Sequence, residues 1–285
     1  MIAIKSLANL SIETLYGAFS DAFRDYEITL NQAELQKMMH RRGFDAALSF
    51  GAFDGDRLVS FTFNGIGLFN GVKTAYDTGT GTLAEYRGQG LAAQVFTESI
   101  PYLVSAGVEQ YLLEVLQHNT TAVSVYTKQG FAVSREFNYF VQSVTEVKLN
   151  GKVMPDGYAI REVSLSEIGM PSHCWDFFPS WQNSFESINR KPSDFMVIGA
   201  FKGNALVGYG IIEPSSGDIT QIGVDKLHRR RGVGSAILRE LVKRNVHDHI
   251  KVINTEIGCE GITDFLAGNN IEAKGKQFEM IKKLR

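Results

Sequence analysis

The hydrophobic pattern of the first half of the chain predicts a mixture of strands and helices. Apolar residues alternate with polar ones in some segments and recur every three or four residues in others, as in strands and amphipathic helices respectively. Hairpins ahead of the central helix favour a mixed sheet over a purely parallel, doubly wound one. The predicted strands are Ala3–Leu7, Ala47–Phe53, Arg57–Ile66, Val72–Thr80, Tyr111–Leu116 and Phe131–Val144, and the predicted helices lie within Ser11–Phe23, within Asn31–Arg42, after Gly88 and at Thr120–Gln129.

The second half of the chain repeats the first. GAFDGDRLVSFTFNGIG at 51–67 matches GAFKGNALVGYGIIEP at 199–214, and TLAEYRGQGLAAQVF at 82–96 matches VDKLHRRRGVGSAIL at 224–238. IAIKSLANLSIE, near the start, likewise matches YAIREVSLSEI at 158–168. Three matches in the same order and at similar spacing indicate a duplicated domain. We therefore predict a first domain at 1–148, a linker at 149–157, where turn residues cluster, and a second domain at 158–285.

The composition is that of a globular chain that recognises its partners locally. The 29 Lys and Arg residues nearly balance the 31 Asp and Glu residues, so there is no overall basic field to attract nucleic acid or an anionic membrane. Cys174 and Cys259 form no CxxC pair, which indicates a reducing compartment. We find neither a signal-peptide core nor a membrane-length apolar stretch. We predict a cytoplasmic protein without nucleic-acid, membrane or metal partners, and its oligomeric state stays open.

The segment EYRGQGLAAQVF at 85–96 starts a helix without a usual capping residue. Most helices begin on Ser, Thr, Asp or Asn, whose side chain accepts a hydrogen bond from the first turn. Arg87-Gly88-Gln89-Gly90 instead leaves bare N–H groups, removes two Cβ atoms and adds a cation, which suits a phosphate. It lacks the third glycine of GxGxxG and any following Gly-Lys-Ser/Thr, so Rossmann and Walker loops do not fit. A helix that simply follows a glycine turn is the alternative.

A second segment, HNTTAVSVYTKQGF at 118–131, favours a functional interpretation of the glycine loop. Asn119 can cap a helix, Ala122 and Tyr126 share one of its faces, and Gly130 can end it before a strand that begins at Phe131. By itself, Tyr126 is best explained as an ordinary core aromatic. Beside the glycine loop it becomes a candidate site residue.

These two segments together resemble the GNAT superfamily of acetyl-coenzyme A-dependent N-acetyltransferases. The family's phosphate motif is Arg/Gln-x-x-Gly-x-Gly/Ala, which is matched by Arg87, Gly90 and Ala92 and again by Arg229, Gly232 and Gly234. Its later motif, Asn-x-x-Ala followed by a helix tyrosine and Gly-Phe, is matched by Asn119, Ala122, Tyr126, Gly130 and Phe131. The resemblance covers nearly the whole chain. It implies an α/β fold of two tandem domains, each with a mixed, splayed central sheet flanked by helices.

The resemblance also implies how acetyl-coenzyme A is held. In the family, the backbone of the strand before the loop pairs with the pantetheine arm, and the loop N–H groups cradle the pyrophosphate. The first role falls on Thr80, Gly81 and Thr82. The residues implied for the remaining cofactor contacts are Arg87, Gly88, Gln89, Gly90, Leu91, Ala92 and Asn119.

A free amine attacks the acetyl thioester directly in this family. The helix tyrosine, here Tyr126, commonly gives a proton to the departing thiolate. Family members often use a carboxylate on the strand before the phosphate loop, sometimes through water, to take protons from the amine. Asp77 lies on that strand and Glu114 on the next one. Because a strand alternates its faces, the sequence leaves open which side each carboxylate occupies. Solvated or structural roles are the alternative for both.

The second copy departs from the family pattern. Its loop, HRRRGVGSAIL, is intact, and its candidate cofactor-binding residues are Arg229, Arg231, Gly232, Val233 and Gly234. Aligning the copies, however, puts Leu266 opposite Tyr126 and Cys259 opposite Asn119. Three alternatives are open for the second copy: it binds cofactor without catalysis, it uses another acid, or it serves as a scaffold. We expect the first copy to be the catalytic one.

Two further points stay open at this stage. The aromatic stretch CWDFFPSWQNSFESINR at 174–190 either covers the core of the second copy or lines an acceptor pocket at the domain junction. The predicted function is transfer of acetyl to an amine of a small molecule or peptide, and the sequence does not select the acceptor. A non-catalytic acyl-coenzyme A sensor is the alternative; Tyr126 in an otherwise complete first copy favours the enzyme.

Overall fold

The computed structural model describes residues 1–25, 30–149 and 151–285, so Asn150 of the predicted linker lies outside the described residues. The elements from the first sequence copy are β1 Ile2–Ser6, α1 Ile12–Ala22, α2 Gln32–Arg42, β2 Phe50–Asp54, β3 Arg57–Phe69, β4 Val72–Thr82, α3 Leu91–Ser105, β5 Gln110–Leu116, α4 Thr120–Lys128 and β6 Ala132–Ser143. Those from the second copy are β7 Tyr158–Val163, α5 Leu165–Ile168, α6 Phe185–Asn189, β8 Met196–Lys202, β9 Ala205–Glu213, β10 Asp218–Val224, α7 Val233–Arg244, β11 His249–Glu256, α8 Glu260–Gly268 and β12 Ala273–Lys283.

The chain forms two compact units whose limits differ from those of the sequence copies. The first unit holds Met1–Val115, Asn119–Ser134 and Glu279–Arg285, and the second holds Leu116–His118 and Arg135–Phe278. Most of β6 therefore belongs to the second unit, and the end of β12 belongs to the first. The division at 149–157 stays a prediction about where the two sequence copies join.

The sheet of the first unit is mixed, as the hairpin pattern predicts. Strands β1 to β5 lie in sequence order and the end of β12 follows β5. All pairings from β1 to β4 are antiparallel, whereas β4 and β5 run parallel. The core beneath α1 and α2 is rich in aromatic rings, including Phe19, Phe61 and Phe63.

The parallel pair β4 and β5 separates after a few residues. The strands pair only at Thr74–Gln110, Ala75–Tyr111 and Tyr76–Leu112. The second unit repeats the arrangement, because β10 and β11 pair in parallel only at Asp218–Lys251. Each unit therefore has a splayed strand pair at the carboxyl ends of these strands, directly before a glycine loop.

Helix caps explain several of the predicted boundaries. Asn31 accepts a hydrogen bond from the Glu34 backbone, and the Glu34 carboxylate accepts one from the Asn31 backbone, which makes a capping box at the start of α2. Gly43 ends that helix in the left-handed conformation, with φ of 80°. Polar residues at helix starts were therefore a reliable signal in this region.

The predicted strand at Ala47–Phe53 begins too early. β2 starts at Phe50. The Asp45 carboxylate accepts hydrogen bonds from the backbone N–H groups of Ala47 and Leu48, at 2.9 and 3.1 Å. Such a local turn competes with strand pairing for the same backbone groups.

Candidate active site

The helix start that lacks a capping side chain is present in the structure. Gly90 is the N-cap of α3, has a φ of 75° and gives the helix no side-chain cap. Gly88 also lies in the left-handed region, with φ of 77°. A Cβ atom on Gly88 would meet nothing within 4 Å, and one on Gly90 would meet only the Gln94 side-chain nitrogen at 4.0 Å. The start of α3 thus has no side-chain cap and free space beside both glycines, which suits an anion site.

Arg87 has a structural part in this loop. Its Nε donates to the Thr82 carbonyl at 3.1 Å, and its Nη2 donates to the Ala22 carbonyl at 2.8 Å. The guanidinium thus ties the loop to the end of β4 and to α1. Arg229 repeats the strand contact in the second unit, where its Nε donates to the Val224 carbonyl at 2.9 Å, but its Nη1 donates to the Asp176 carboxylate, also at 2.9 Å.

A cavity of about 270 Å³ occupies the splayed region of the first unit. It brings together most of the residues that the sequence assigns to the site: Asp77, Thr80, Gly81, Thr82, Arg87, Ala92, Asn119 and Tyr126. The other loop residues lie beside it. Gly88, Gln89 and Gly90 are exposed, and the Leu91 side chain is buried in the core.

Asp77 and Tyr126 meet in this cavity. The Tyr126 hydroxyl donates to Asp77 Oδ2 at 3.2 Å, and the Thr80 hydroxyl donates to both carboxylate oxygens at 2.9 and 3.0 Å. Burial raises the pKa of Asp77 from 3.8 to about 6, although the hydrogen bonds from Thr80 and Tyr126 and the charge of Arg42 oppose that rise. A carboxyl with a pKa near neutrality can accept or return a proton at physiological pH.

A β-bulge places Asp77 where it is. In the β3–β4 pairing, Phe63 faces Gly79 and Asn64 faces Asp77, so Thr78 is the additional residue of β4. The Gly79 backbone also donates a hydrogen bond to the Asp77 carboxylate, and Arg42 Nη1 donates to the Thr78 carbonyl at 3.0 Å. The bulge therefore re-aims a strand residue into the gap.

Glu114 is not brought together with Asp77. It accepts a hydrogen bond from the Tyr76 hydroxyl at 3.1 Å and does not line the cavity. Tyr76 precedes Asp77, and successive strand residues face opposite sides of the sheet. The two candidate carboxylates consequently lie on different faces.

Helix α4 holds Tyr126 over the cavity. The Asn119 side chain accepts a hydrogen bond from the Ala122 backbone at 3.2 Å, as predicted, and so caps α4. The Tyr126 ring lies edge-on to Phe131, with 5.7 Å between ring centroids. At the other end of the helix, Lys282 Nζ donates to the Gln129 carbonyl and lies 5.6 Å from the centre of the Phe96 ring.

The second unit keeps the loop and the bulge but lacks the acidic pair. Gly232 caps α7 with φ of 82°, and Thr220 is the additional residue of β10. Ile219 occupies the position that Asp77 has before the first bulge, and Leu266 lies seven residues after the α8 N-cap, as Tyr126 does in α4. Both side chains are buried in the core. Sequence reasoning missed Ile219, although extending the match between the two loops upstream along the chain would have found it.

A cavity of about 410 Å³ lies at the splayed strands of the second unit. Trp175 and Phe177 from the aromatic stretch line it, whereas Trp181 and Phe185 are buried. Asn183 crosses the gap beside it: its side chain donates to the Ile253 carbonyl at 2.9 Å, and its own carbonyl accepts from Gln221 at 2.5 Å. The aromatic stretch thus serves both the core and a cavity within the second unit.

Comparison with known proteins gives a family and a fold. The sequence profile of the acetyltransferase (GNAT) family matches residues 9–131 and 162–258. A search of curated proteins gives no match.

Three solved structures illustrate the similarity of fold. A tandem GNAT protein from the clavulanic acid biosynthesis pathway has a TM-score of 0.74 at 12% identity, covering 100% of this chain and 99% of that one. A GCN5-related N-acetyltransferase from Sphaerobacter thermophilus has a TM-score of 0.72 at 14% identity, covering 100% and 96%. One from Kribbella flavida has a TM-score of 0.60 at 13% identity, covering 100% and 72%. Among the described residues, no helix is long and apolar enough to cross a membrane.

Proposed function

Because this chain belongs to the GNAT acetyltransferase family, we propose that its first unit transfers acetyl from acetyl-coenzyme A to a primary amine of a small molecule or peptide. The observation that carries the proposal is the pair of Asp77 and Tyr126 in a cavity beside an open, glycine-started helix. The fold matches that of a solved tandem GNAT protein. Ile219 and Leu266, at the positions of Asp77 and Tyr126, support one working copy and one degenerate copy.

The loop residues fit a pyrophosphate. Gly88 and Gly90 leave open space above the first N–H groups of α3, and no side chain caps them. Backbone N–H groups at a helix start favour a negative charge. The splayed end of β4, at Thr80 to Thr82, lines the cavity where the pantetheine arm would lie. When bound, acetyl-coenzyme A supplies an acetyl group activated as a thioester.

Asp77 and Tyr126 account for the proton balance of acetyl transfer. Forming the C–N bond releases a proton from the amine, and breaking the C–S bond requires one at sulfur. Asp77, with a pKa of about 6, is ionised at neutral pH and takes the amine proton directly or through water. Tyr126 gives its hydroxyl proton to sulfur and regains one across its 3.2 Å hydrogen bond to Asp77.

The test is turnover by Tyr126→Phe. The variant keeps the ring and its packing on Phe131, so coenzyme A affinity should stay within about twofold of wild type. A positioned proton donor contributes about a hundredfold to ten-thousandfold in rate; a thiol with a pKa near 8.5 is an easy leaving group, so we expect kcat to fall by at least about tenfold. Calorimetry with coenzyme A and thiol release with a panel of amines measure the two quantities.

Tyr102→Phe is the matched control. Tyr102 lies on α3 with 56% of its surface exposed, so loss of its hydroxyl should leave kcat unchanged. Full turnover by Tyr126→Phe would contradict the catalytic role. Coenzyme A binding by wild type without turnover of any amine would favour the acyl-coenzyme A sensor instead. We also propose a reducing, cytoplasmic location, which the free thiols of Cys174 and Cys259 support.

A further inference from the structure

The start of α7 in the second unit is covered by the chain itself. A Cβ atom on Gly232 would overlap the Lys152 carbonyl and would lie 3.2 Å from the Met154 backbone nitrogen. In the first unit, the equivalent Gly90 faces open space. The two loops therefore have the same glycine geometry, but the backbone of residues 152–154 lies against Gly232 whereas no backbone atom of the described residues lies against Gly90. We call residues 151–154 the covering segment.

The covering segment is held in place by packing contacts on both sides of Lys152 and by a backbone hydrogen bond. Leu149 and Met154, on either side of Lys152, pack against the hydrophobic core of the second unit. The Lys148 backbone donates to the Asn269 carbonyl at 2.9 Å. A Cβ atom on Gly151 would overlap the Ser235 side chain, so this close approach to the first turn of α7 requires glycine. The contact is therefore specified by the sequence of the segment.

We propose that the covering segment takes the place of cofactor phosphate in the second unit, so that coenzyme A binds to the first unit alone. The Lys152 carbonyl brings a partial negative charge to the positive end of the α7 dipole, where a phosphate would otherwise lie. The proposal rests on coenzyme A binding by the first unit.

Other features of the second unit agree with a site closed to acetyl transfer. Ile219 and Leu266 replace the proton-handling pair. Arg230 occupies a left-handed position, with φ of 61°, where the first loop has Gly88; a side chain there narrows the approach to the loop. The cavity is nevertheless retained, and its lining includes Lys152 together with Gly232, Gly234 and Ser235.

The two tryptophans give a reporter for the second unit alone. The chain contains only Trp175 and Trp181, and both lie within Arg135–Phe278. Trp175 lines the second cavity. Coenzyme A that enters this cavity should change tryptophan fluorescence, whereas coenzyme A at the first unit should leave it unchanged.

The experiment is carried out with the full chain and free coenzyme A. Gly90→Glu first removes binding at the first loop by adding bulk and negative charge. Gly151→Val is then added, because its side chain cannot share space with Ser235 and must lift the segment. We expect saturable coenzyme A binding with a fluorescence change in Gly90→Glu/Gly151→Val. Its affinity for coenzyme A should be at least about tenfold higher than that of Gly90→Glu, because the covering segment no longer reduces the fraction of molecules with an open second site.

Two further variants keep the result interpretable. Met154→Ser, in the same Gly90→Glu background, weakens the apolar anchor without adding bulk and should also expose the second site. Val153→Ser is the matched control, because Val153 is 88% exposed and should leave the segment seated. Fluorescence-detected coenzyme A binding by Gly90→Glu alone with the same affinity as the Gly90→Glu/Gly151→Val chain would overturn the proposal. So would a lack of binding in both the Gly151→Val and the Met154→Ser chains once circular dichroism shows them folded.

These outcomes are separable from those that test the proposed function. If wild type shows no calorimetric coenzyme A site, the cofactor assignment of the first unit is wrong. The Gly151→Val and Met154→Ser chains still decide the role of the covering segment, because their fluorescence readout depends only on the second unit.

Discussion

The two units share the scaffold of a coenzyme A site and differ in the groups that would use it. Each has a splayed parallel strand pair, a bulge at a threonine and a glycine at the N-cap of the following helix. At the matched positions the first unit has an acid and a phenol within hydrogen-bond distance of each other, whereas the second has Ile219 and Leu266. The loop and the bulge therefore recur in both units, whereas the paired acid and phenol do not recur at the matched positions of the second.

The loop arginine shows why the motif can outlive the activity. Arg87 donates to the Thr82 carbonyl, and Arg229 donates to the equivalent Val224 carbonyl. Each therefore satisfies a backbone group at the end of a strand that has lost its neighbour. Selection for folding alone would retain the arginine, so its presence in the second copy does not indicate catalysis.

The largest expected effect is a difference between the same substitution in the first loop, at Gly90, and in the second loop, at Gly232. Gly90→Glu should weaken coenzyme A binding by at least about a hundredfold, because a carboxylate at the helix start repels phosphate at close range. Gly232→Glu should reduce the stability of the second unit, where the Lys152 carbonyl leaves no room, while most of the turnover persists. Calorimetry and thiol-release kinetics measure both. Gly90→Ala isolates the strain of a side chain at positive φ, and equal loss of turnover in the Gly90→Glu and Gly232→Glu chains would erase the distinction between the units.

The next effect concerns pH, and only the first unit should show it. Asp77 must be ionised to accept a proton, so kcat/KM should fall about tenfold per unit below pH 6 and level off above it. Asp77→Asn should lower the rate and remove this limb. If kcat/KM of Asp77→Asn still fell below pH 6, a group other than Asp77 would be responsible for the pH dependence.

The same carboxyl sets a stability test with a defined sign. Its pKa is raised from 3.8 to about 6 in the folded chain, so the folded state binds the proton more tightly than the unfolded state. That contribution is fully present below pH 3.8 and is lost as pH rises through about 6. The unfolding free energy of wild type should therefore improve relative to Asp77→Asn on acidification from pH 7 to pH 5, measured by urea titration.

The smallest expected effect concerns β6 and β12, because most of β6 belongs to the second unit and the end of β12 belongs to the first. Lys282 of β12 holds the end of α4 in the first unit, and Gln142 of β6 donates to the Asn270 carbonyl after α8 in the second, at 2.7 Å. Lys282→Met should lower kcat about twofold to fivefold by loosening the helix that carries Tyr126. Coenzyme A affinity should hold, and Lys282→Arg should restore kcat. Gln142→Met should leave kcat unchanged; an equal loss there would indicate general destabilisation.

Local signals in the sequence were sufficient for much of the first site. Two glycines without a capping residue specified the open helix start, and Asn119 followed by Ala122 specified the helix that carries Tyr126. The predicted tandem GNAT fold is confirmed by the family match and by solved structures of similar fold. Each of these features depends on residues within a few positions of one another, which is the range over which backbone geometry and capping act.

Tertiary structure alone decided the remainder. The bulge at Thr78 aims Asp77 into the cavity and leaves Glu114 on the other face, and a one-residue change of register cannot be read from alternating polarity. Exchange of β6 and β12 between the units depends on which sheet edge a strand meets. The covering of Gly232 by Lys152 depends on packing of Leu149 and Met154 far along the chain from α7. Such contacts join distant segments through shape and buried area, which no local pattern encodes.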